Sequence, residues 1–375
     1  MIPLPAAVPG AALQDAARGG ECDARIARIV LRLKTRPTGI GLLSGGLDSA
    51  VACLVTRDAG ADVRCIHFFT GFCVTGHNSR VGRTDRPIAS HALQVASEIG
   101  VPLDLVDISE GYLPMVLEPK HGYGRNMNPC IDCRVFMLKK AREHMERTGA
   151  DFVFTGEVVG QRPKSQVKSA LRAIEKEAGL EGRLLRPLSA KILPATAVER
   201  EGRIDRQKLH GLSGRGRKPQ IELARRYGIT TYAQPAGGCC FLTDEAYSNK
   251  FKDAISHGGA GRLSIDDVVV LGVGRHFRFS PVLKLIVGRN AAENYFLSQI
   301  KGDRWSARVV GFNGPTALAV GEIGESDWDK IASVVARYSD AKNEEAIEVE
   351  FVRGEAVKRV KVASASAEFV AERRI

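Results

Sequence analysis

The chain has 375 residues, of which 44% are hydrophobic and 26% charged, with a formal net charge of +11 and eight cysteines. That is enough chain for two or three domains of ordinary globular composition, and it excludes a disulfide scaffold, for which the cysteines are too few. No apolar run approaches the ~20 residues needed to cross a bilayer. The basic excess favours a polyanionic partner, of which nucleic acid is the commonest.

The first residues, Met1-Ile-Pro-Leu-Pro-Ala-Ala-Val-Pro9, are broken by prolines and lack the basic start of a signal peptide, so a cytoplasmic location is expected. Residues 1–35 read as a loose leader followed by a helix over Cys22–Lys34, with Ile26, Ile29, Val30 and Leu33 on one face. Thr38–Leu43 is a short apolar run and predicts a buried strand. It enters the turn Ser44-Gly45-Gly46-Leu47-Asp48-Ser49, and Ala50–Arg57 predicts a helix that starts at once. A strand, a serine- and glycine-rich turn and a helix together make a phosphate-binding geometry. Glycine lets backbone approach an anion, and the helix offers free N–H groups and its positive dipole end. Ser44 and Ser49 add hydroxyl donors. Asp48 suits an anion site where a magnesium ion lies between it and the phosphates; otherwise it is a plain N-cap.

Further strands are predicted over Asp62–Phe69, Pro102–Ile108 and Asp151–Gly156, with helices over Ile88–Ile99 and Arg134–Thr148. The alternation predicts an α/β fold, a parallel sheet with helices on both faces. Ligands in such sheets sit beyond the carboxyl ends of the strands. Ser44–Ser49, Phe68–Gly71 and Thr155–Glu157 are therefore expected around one nucleotide crevice, with Phe68 either in the core or against adenine. The stretch 162–218 is a basic insertion, either a solvated face or a path for RNA phosphates. Tyr227–Tyr232 reads as a short strand and the residues through His257 as a helix. A boundary is expected at Gly258–Gly261, so that 36–257 forms one domain and 263–375 a smaller α+β domain. Its strands are predicted at Val268–Val273, His276–Phe279, Leu283–Val287, Arg308–Val310, Leu318–Val320, Ala346–Arg353 and Val357–Val362, and its helix at Trp328–Tyr338.

Cys130-Ile-Asp-Cys133 stands at the entrance of a helix, where the dipole favours thiolate. A second pair, Cys239-Cys240, follows Pro235-Ala-Gly-Gly238. The four thiols read as a redox dithiol, a zinc site or an iron–sulfur site held by three cysteines. Adjacent Cys239 and Cys240 cannot easily both face one tetrahedral zinc. Cys22, Cys53, Cys65 and Cys73 lie mostly in apolar or strand contexts and are assigned to the core.

The string Ser-Gly-Gly-Leu-Asp-Ser resembles the pyrophosphate loop of the PP-loop ATP pyrophosphatases. The loop, Asn128-Pro-Cys-x-x-Cys133, the strand ending in Thr155-Gly156 and Gly238-Cys-Cys-Phe241 occur in the order of the tRNA thiolation enzymes of that superfamily, the 2-thiouridylases and 4-thiouridine synthetases. The resemblance covers about 38–245. It implies an ATP-dependent transferase that adenylates a uridine carbonyl, releases pyrophosphate and replaces the oxygen with sulfur. Ser44, Gly45, Gly46, Asp48, Ser49, Phe68, Thr155 and Gly156 would bind ATP, with Asp48 on Mg2+ and also catalytic. The 2-thiouridylase pattern commonly has an aspartate where Cys130 stands. A cysteine there resembles the iron–sulfur-dependent thiolases, which implies a 4Fe–4S cluster on Cys130, Cys133 and one of Cys239 or Cys240, the other being a persulfide carrier. Lys284–Asn294 resembles the start of the NFACT RNA-binding domain, which implies RNA held by residues 263–375. The expected partners are RNA, above all tRNA, a sulfur donor and a second copy in a homodimer. The competing readings are a PP-loop ligase or sulfur transferase acting on a small molecule, and a non-catalytic RNA-binding protein.

Overall fold

The computed structural model describes residues 36–73, 90–232, 240–259 and 263–375. The expected leader and helix of residues 1–35, and Cys239, lie outside them. The described chain divides into two compact units. One gathers the described residues up to Ile66 with Val95–Asp104 and Met137–Tyr232, and the other those of His67–Gln94, Leu105–Phe136 and Ala233–Ile375.

The parallel sheet is present as expected. Its strands are β1 (Thr38–Leu42), β2 (Asp62–Phe69), β3 (Leu103–Asp107), β4 (Phe152–Phe154) and β5 (Leu184–Leu185), in the order β3-β2-β1-β4-β5. Helix α1 (Leu47–Asp58) follows β1, α2 (Ser90–Ile99) precedes β3, and α3 (Ser109–Leu117) follows it. Helix α4 (Cys130–Thr148) leads into β4. Central β1 pairs in parallel with β2 on one side and β4 on the other. Gly39 and Gly41 of β1 leave room for two rings: a Cβ on Gly39 would lie 2.5 Å from Phe152 and one on Gly41 2.3 Å from Phe154. Both rings are fully buried, in a core that also takes Val51, Val55, Val63, Val95 and Ile99.

The basic stretch after β4 is only partly a surface. Helix α5 (Lys168–Glu177) buries Leu171 and Ile174. Arg186 is 3% exposed and pairs with Glu157 at 3.1 Å and Glu175 at 2.8 Å. Arg203 is almost as buried, 2.9 Å from Asp151, and Arg206 pairs with Glu199. Charge spacing alone reads these arginines as a solvated face or an RNA path. Arg186 and Arg203 are internal struts, and Arg206 is half-buried against Glu199.

Helix α6 (Lys218–Arg226) packs Ala224 into the same core. The strand expected at Tyr227–Tyr232 does not form. The Glu98 carboxylate instead accepts from the amides of Thr230 at 2.7 Å and Thr231 at 3.1 Å, so these groups need no neighbouring strand. The Thr230 amide in first place holds that carboxyl below the usual carboxylate range.

In the second unit, α7 (Glu245–Gly258) is capped by Asp244, whose side chain accepts from the Tyr247 amide. Helix α8 (Ile265–Leu271) replaces the strand expected at Val268–Val273. The run of valines suggests a strand, but Ser264 and Asp267 form a reciprocal capping box that starts a helix. A six-stranded antiparallel sheet follows, built from β6 (Arg275–Ser280), β7 (Leu283–Val287), β8 (Trp305–Val309), β9 (Ala317–Val320), β10 (Ile347–Arg353) and β11 (Ala356–Val362). Helices α9 (Ala291–Gln299), α10 (Trp328–Arg337) and α11 (Ala367–Arg373) accompany it. Helix α10 lays Ile331, Ala332 and Val335 on the sheet, and Trp328 meets Trp305 and Phe351 edge to face.

Candidate nucleotide site and thiol cluster

In the order β3-β2-β1-β4-β5 the chain direction of succession reverses between β1 and β4. The crevice beyond the carboxyl ends of these two strands is where an open α/β sheet binds ligands. The loop Ser44–Ser49 leaves β1 there, and Thr155-Gly156-Glu157 leaves β4 beside it.

The loop is closed by its own groups. Gly45 has φ 77°, a left-handed conformation that favours glycine. Ser49 Oγ donates to the Gly46 carbonyl at 2.8 Å and accepts from the Ser44 amide at 3.3 Å, and the two hydroxyls are 3.2 Å apart. Gly46 is the N-cap of α1 and has no side chain to cap it, so the first turn keeps its N–H groups for a ligand. Gly156 presses against the loop from β4: a Cβ there would lie 2.5 Å from the Asp48 carbonyl and 2.6 Å from the Ser49 nitrogen. Thr155 Oγ1 donates to Glu157 Oε2 at 3.1 Å, and Glu157 is held by Arg186. The turn after β4 is thus braced by a buried ion pair that sequence spacing does not reveal.

Asp48 is not an N-cap; Gly46 takes that position. Gln161 Nε2 donates to Asp48 Oδ2 at 2.9 Å and Arg217 Nη2 at 3.2 Å. Asp48 Oδ1 is buried and has no hydrogen-bond partner among the described residues. An unpartnered buried carboxylate oxygen beside a phosphate loop fits a magnesium ligand. Phe68 is buried near the end of β2 and falls in the second unit.

The thiols lie in the second unit. Cys130 and Cys133 open α4, both half-buried. Asp132 between them accepts from the His121 amide at 3.0 Å and sits 2.9 Å from His121 Nδ1. Cys240 is buried and forms an isolated antiparallel bridge with Cys73, beside which the Phe241 amide donates to the Phe72 carbonyl at 3.1 Å. Tyr112 joins the two parts. Burial first, then the Cys133, Cys240 and Cys73 thiols, push its hydroxyl well above the ordinary tyrosine range. Cys73 therefore does not belong with the core cysteines. Cys53 and Cys65 do, with their sulfurs 3.4 Å apart in full burial. Cys133 and Cys240 both lie near Tyr112; among the described residues, however, no group of three or more His, Cys, Asp or Glu side chains is placed to hold a metal ion. The described thiols do not by themselves fit a 4Fe–4S cluster.

Residues 39–180 match the model of the tRNA methyl transferase HUP domain, and residues 274–373 that of the NFACT protein RNA binding domain. Two curated relatives, the tRNA-specific 2-thiouridylases MnmA of Bacillus thuringiensis (strain Al Hakam) and Bacillus cereus (strain Q1), are each 28% identical over 221 residues, 57% of this chain and 54% of theirs. The chain thus spans about half the length of the curated relatives it matches. A crystal structure of a 4-thiouridine synthetase–RNA complex with bound ATP aligns with 52% of this chain and 41% of its own, at 23% identity and a TM-score of 0.32. Among the described residues, no helix is long and apolar enough to cross a membrane.

Proposed function

We propose that this protein is an ATP-dependent RNA sulfurtransferase, with tRNA as the substrate. The observation that carries the reading is the Ser44–Ser49 loop at the sheet's switch point, with Gly156 packed on it and Asp48 Oδ1 left without a partner. The two domain matches and the similarity to 2-thiouridylases support it.

In this reading the loop amides and the hydroxyls of Ser44 and Ser49 hold the pyrophosphate portion of ATP, and Asp48 holds magnesium, which supplies charge neutralisation there. A uridine carbonyl oxygen attacks the α-phosphorus. The bond to the pyrophosphate oxygen breaks and pyrophosphate leaves, so the RNA carries an adenylated oxygen. The protein's contribution to this step is positioning and preorganised donors. A persulfide donor passes its outer sulfur to a cysteine thiolate and leaves as a thiolate. The outer sulfur of that cysteine persulfide attacks the activated carbon, and AMP leaves with the original oxygen. A second thiolate attacks the inner sulfur, so that the S–S bond breaks, the RNA keeps the new sulfur and a disulfide is left. Cys133 and Cys240, both near Tyr112, are the thiols that would serve as persulfide carrier and resolving thiolate, thiolate being the reactive form. A neutral Tyr112 can donate a hydrogen bond to a thiolate next to it. An iron–sulfur form of the reading would place a 4Fe–4S cluster on Cys130, Cys133 and one of Cys239 or Cys240. Iron and sulfide content of protein purified without oxygen decides that form, and no step above depends on it. The domain ending at residue 375 would hold the RNA, in a cytoplasmic enzyme.

A conversion assay tests the activity. ATP should yield AMP and pyrophosphate, faster with bulk tRNA present than without it. ATP cleavage that ignores tRNA, or that yields ADP, would count against the proposal.

A further inference from the structure

Among the described residues Asp48 has two side-chain partners, Gln161 and Arg217, and both come from the chain that follows β4. The more unexpected one is Arg217. Its guanidinium is delivered by backbone and not by a wandering surface side chain. Val159 and Ser213 form a parallel bridge, and the Gly214 amide donates to the Val159 carbonyl at 2.8 Å. Ser189 Oγ locks the same crossing, accepting from the Val159 amide at 3.0 Å and donating to the Leu212 carbonyl at 2.7 Å. Arg217 follows as the N-cap of α6, which is anchored in the core that holds α1. The side chain thus stands at the phosphate loop with its base fixed, yet remains 31% exposed.

Arg217 holds Oδ2 of a carboxylate whose Oδ1 is left without a partner, and a cation held at Oδ1 would repel the guanidinium beside it. A partly exposed ion pair of this kind is weak, whereas the fork of a guanidinium matches phosphate oxygens and binds them strongly. We propose that Arg217 is a phosphate-binding residue that changes partners. Without nucleotide it pairs with Asp48. When a magnesium–nucleoside triphosphate enters, Asp48 would hold the cation and Arg217 turns to the oxygens of the pyrophosphate moiety. Gln161 stays on Asp48 and keeps the carboxylate oriented. The inference rests on the reading of Ser44–Ser49 as a pyrophosphate site. It separates Arg217 from the other basic residues of 162–218, whose charge alone suggests RNA contact.

Calorimetric titration of the full-length protein with Mg–ATP, Mg–pyrophosphate and AMP tests it, alongside bulk tRNA binding, for Arg217→Gln, Arg217→Lys and Asp48→Asn. Loss of hydrogen bonds to a charged group predicts that Arg217→Gln weakens Mg–ATP and Mg–pyrophosphate by roughly tenfold to a hundredfold. AMP, which lacks the pyrophosphate, and tRNA should bind as before, and Arg217→Lys should recover part of the loss. Unchanged Mg–ATP affinity in Arg217→Gln, with Asp48→Asn impaired, would overturn the partner exchange and leave the loop assignment standing. Lost tRNA binding with intact nucleotide affinity would place Arg217 on the RNA instead. A wild-type protein with no affinity for Mg–ATP would overturn both. Should Arg217→Gln fail to fold, Arg217→Lys carries the same comparison, with a smaller loss expected.

Discussion

Gly156 abuts the backbone of Asp48 so closely that any Cβ on it would lie 2.5 Å from the Asp48 carbonyl. The end of β4 and the start of α1 therefore touch through main chain alone, and the position of the phosphate loop is set by a residue more than a hundred positions away in sequence. Backbone cannot swing aside as a side-chain tip can. Gly156→Ala is expected to displace the loop, lower stability by about 1–3 kcal/mol as overpacking does, and weaken Mg–ATP binding at least tenfold. Urea unfolding and calorimetric titration read the two effects separately.

Gly41 makes a contact of a different kind. A Cβ there would meet the tip of the Phe154 ring at 2.3 Å. Gly41→Ala should cost about 1–3 kcal/mol. Because the obstacle is a side chain, Gly41→Ala combined with Phe154→Leu should be more stable than the sum of the two single losses. A double-mutant cycle by urea unfolding measures the coupling.

Arg186 holds Glu157 and Glu175 from a position that is 3% exposed. Arg186→Met fills similar volume but leaves the Glu157 carboxylate without its cation. The expected loss is about 3–5 kcal/mol, the range for breaking a buried pair from one side. Replacing the set with Arg186→Met, Glu157→Gln and Glu175→Gln should recover a large part of it, by the same unfolding measurement.

His276 gives the second unit an acid limit. It is fully buried, with Nε2 2.8 Å from the Val273 carbonyl. Burial first, then the Lys250 and Lys284 cations, hold its pKa well below the usual histidine range. The unfolded chain then binds a proton that the folded chain does not, from about pH 6.5 downward, so stability falls as pH drops below that value. His276→Gln should flatten the fall in Tm between about pH 6.5 and the folded pKa, and leave the slope of Tm with pH near pH 8 as it is in wild type. An unchanged slope would mean that another group sets the acid limit.

The parallel sheet, the loop and the sheet of the second unit were legible because each rests on local pattern. Apolar runs bounded by turns mark β1, β2 and β7, and the serine–glycine string marks the turn after β1. What was not legible depends on partners distant in sequence. The valines at 268–270 read as strand until the Ser264–Asp267 box is seen to start a helix. Tyr227–Tyr232 has strand composition, but Glu98 takes the amides that a neighbouring strand would need. Arg186 and Arg217 look alike in a basic stretch, yet one is an internal strut and the other stands at Asp48. Cys73 sits in an apolar context and reads as core, and only the fold sets it opposite Cys240. Tyr112 carried no signal at all, because its meaning comes from three cysteines spread over the chain.

Mass spectrometry of nucleosides digested from bulk tRNA, after incubation with the protein, Mg–ATP and a low-molecular-weight persulfide, tests the sulfurtransferase reading most directly. The expected product is a nucleoside in which one uridine oxygen has become sulfur, formed in equal amount with AMP. It should be absent with Asp48→Asn, and absent with Cys133→Ala although that variant still binds Mg–ATP. AMP release with no sulfur in the RNA, or sulfur in the RNA at full yield from Asp48→Asn, would contradict it.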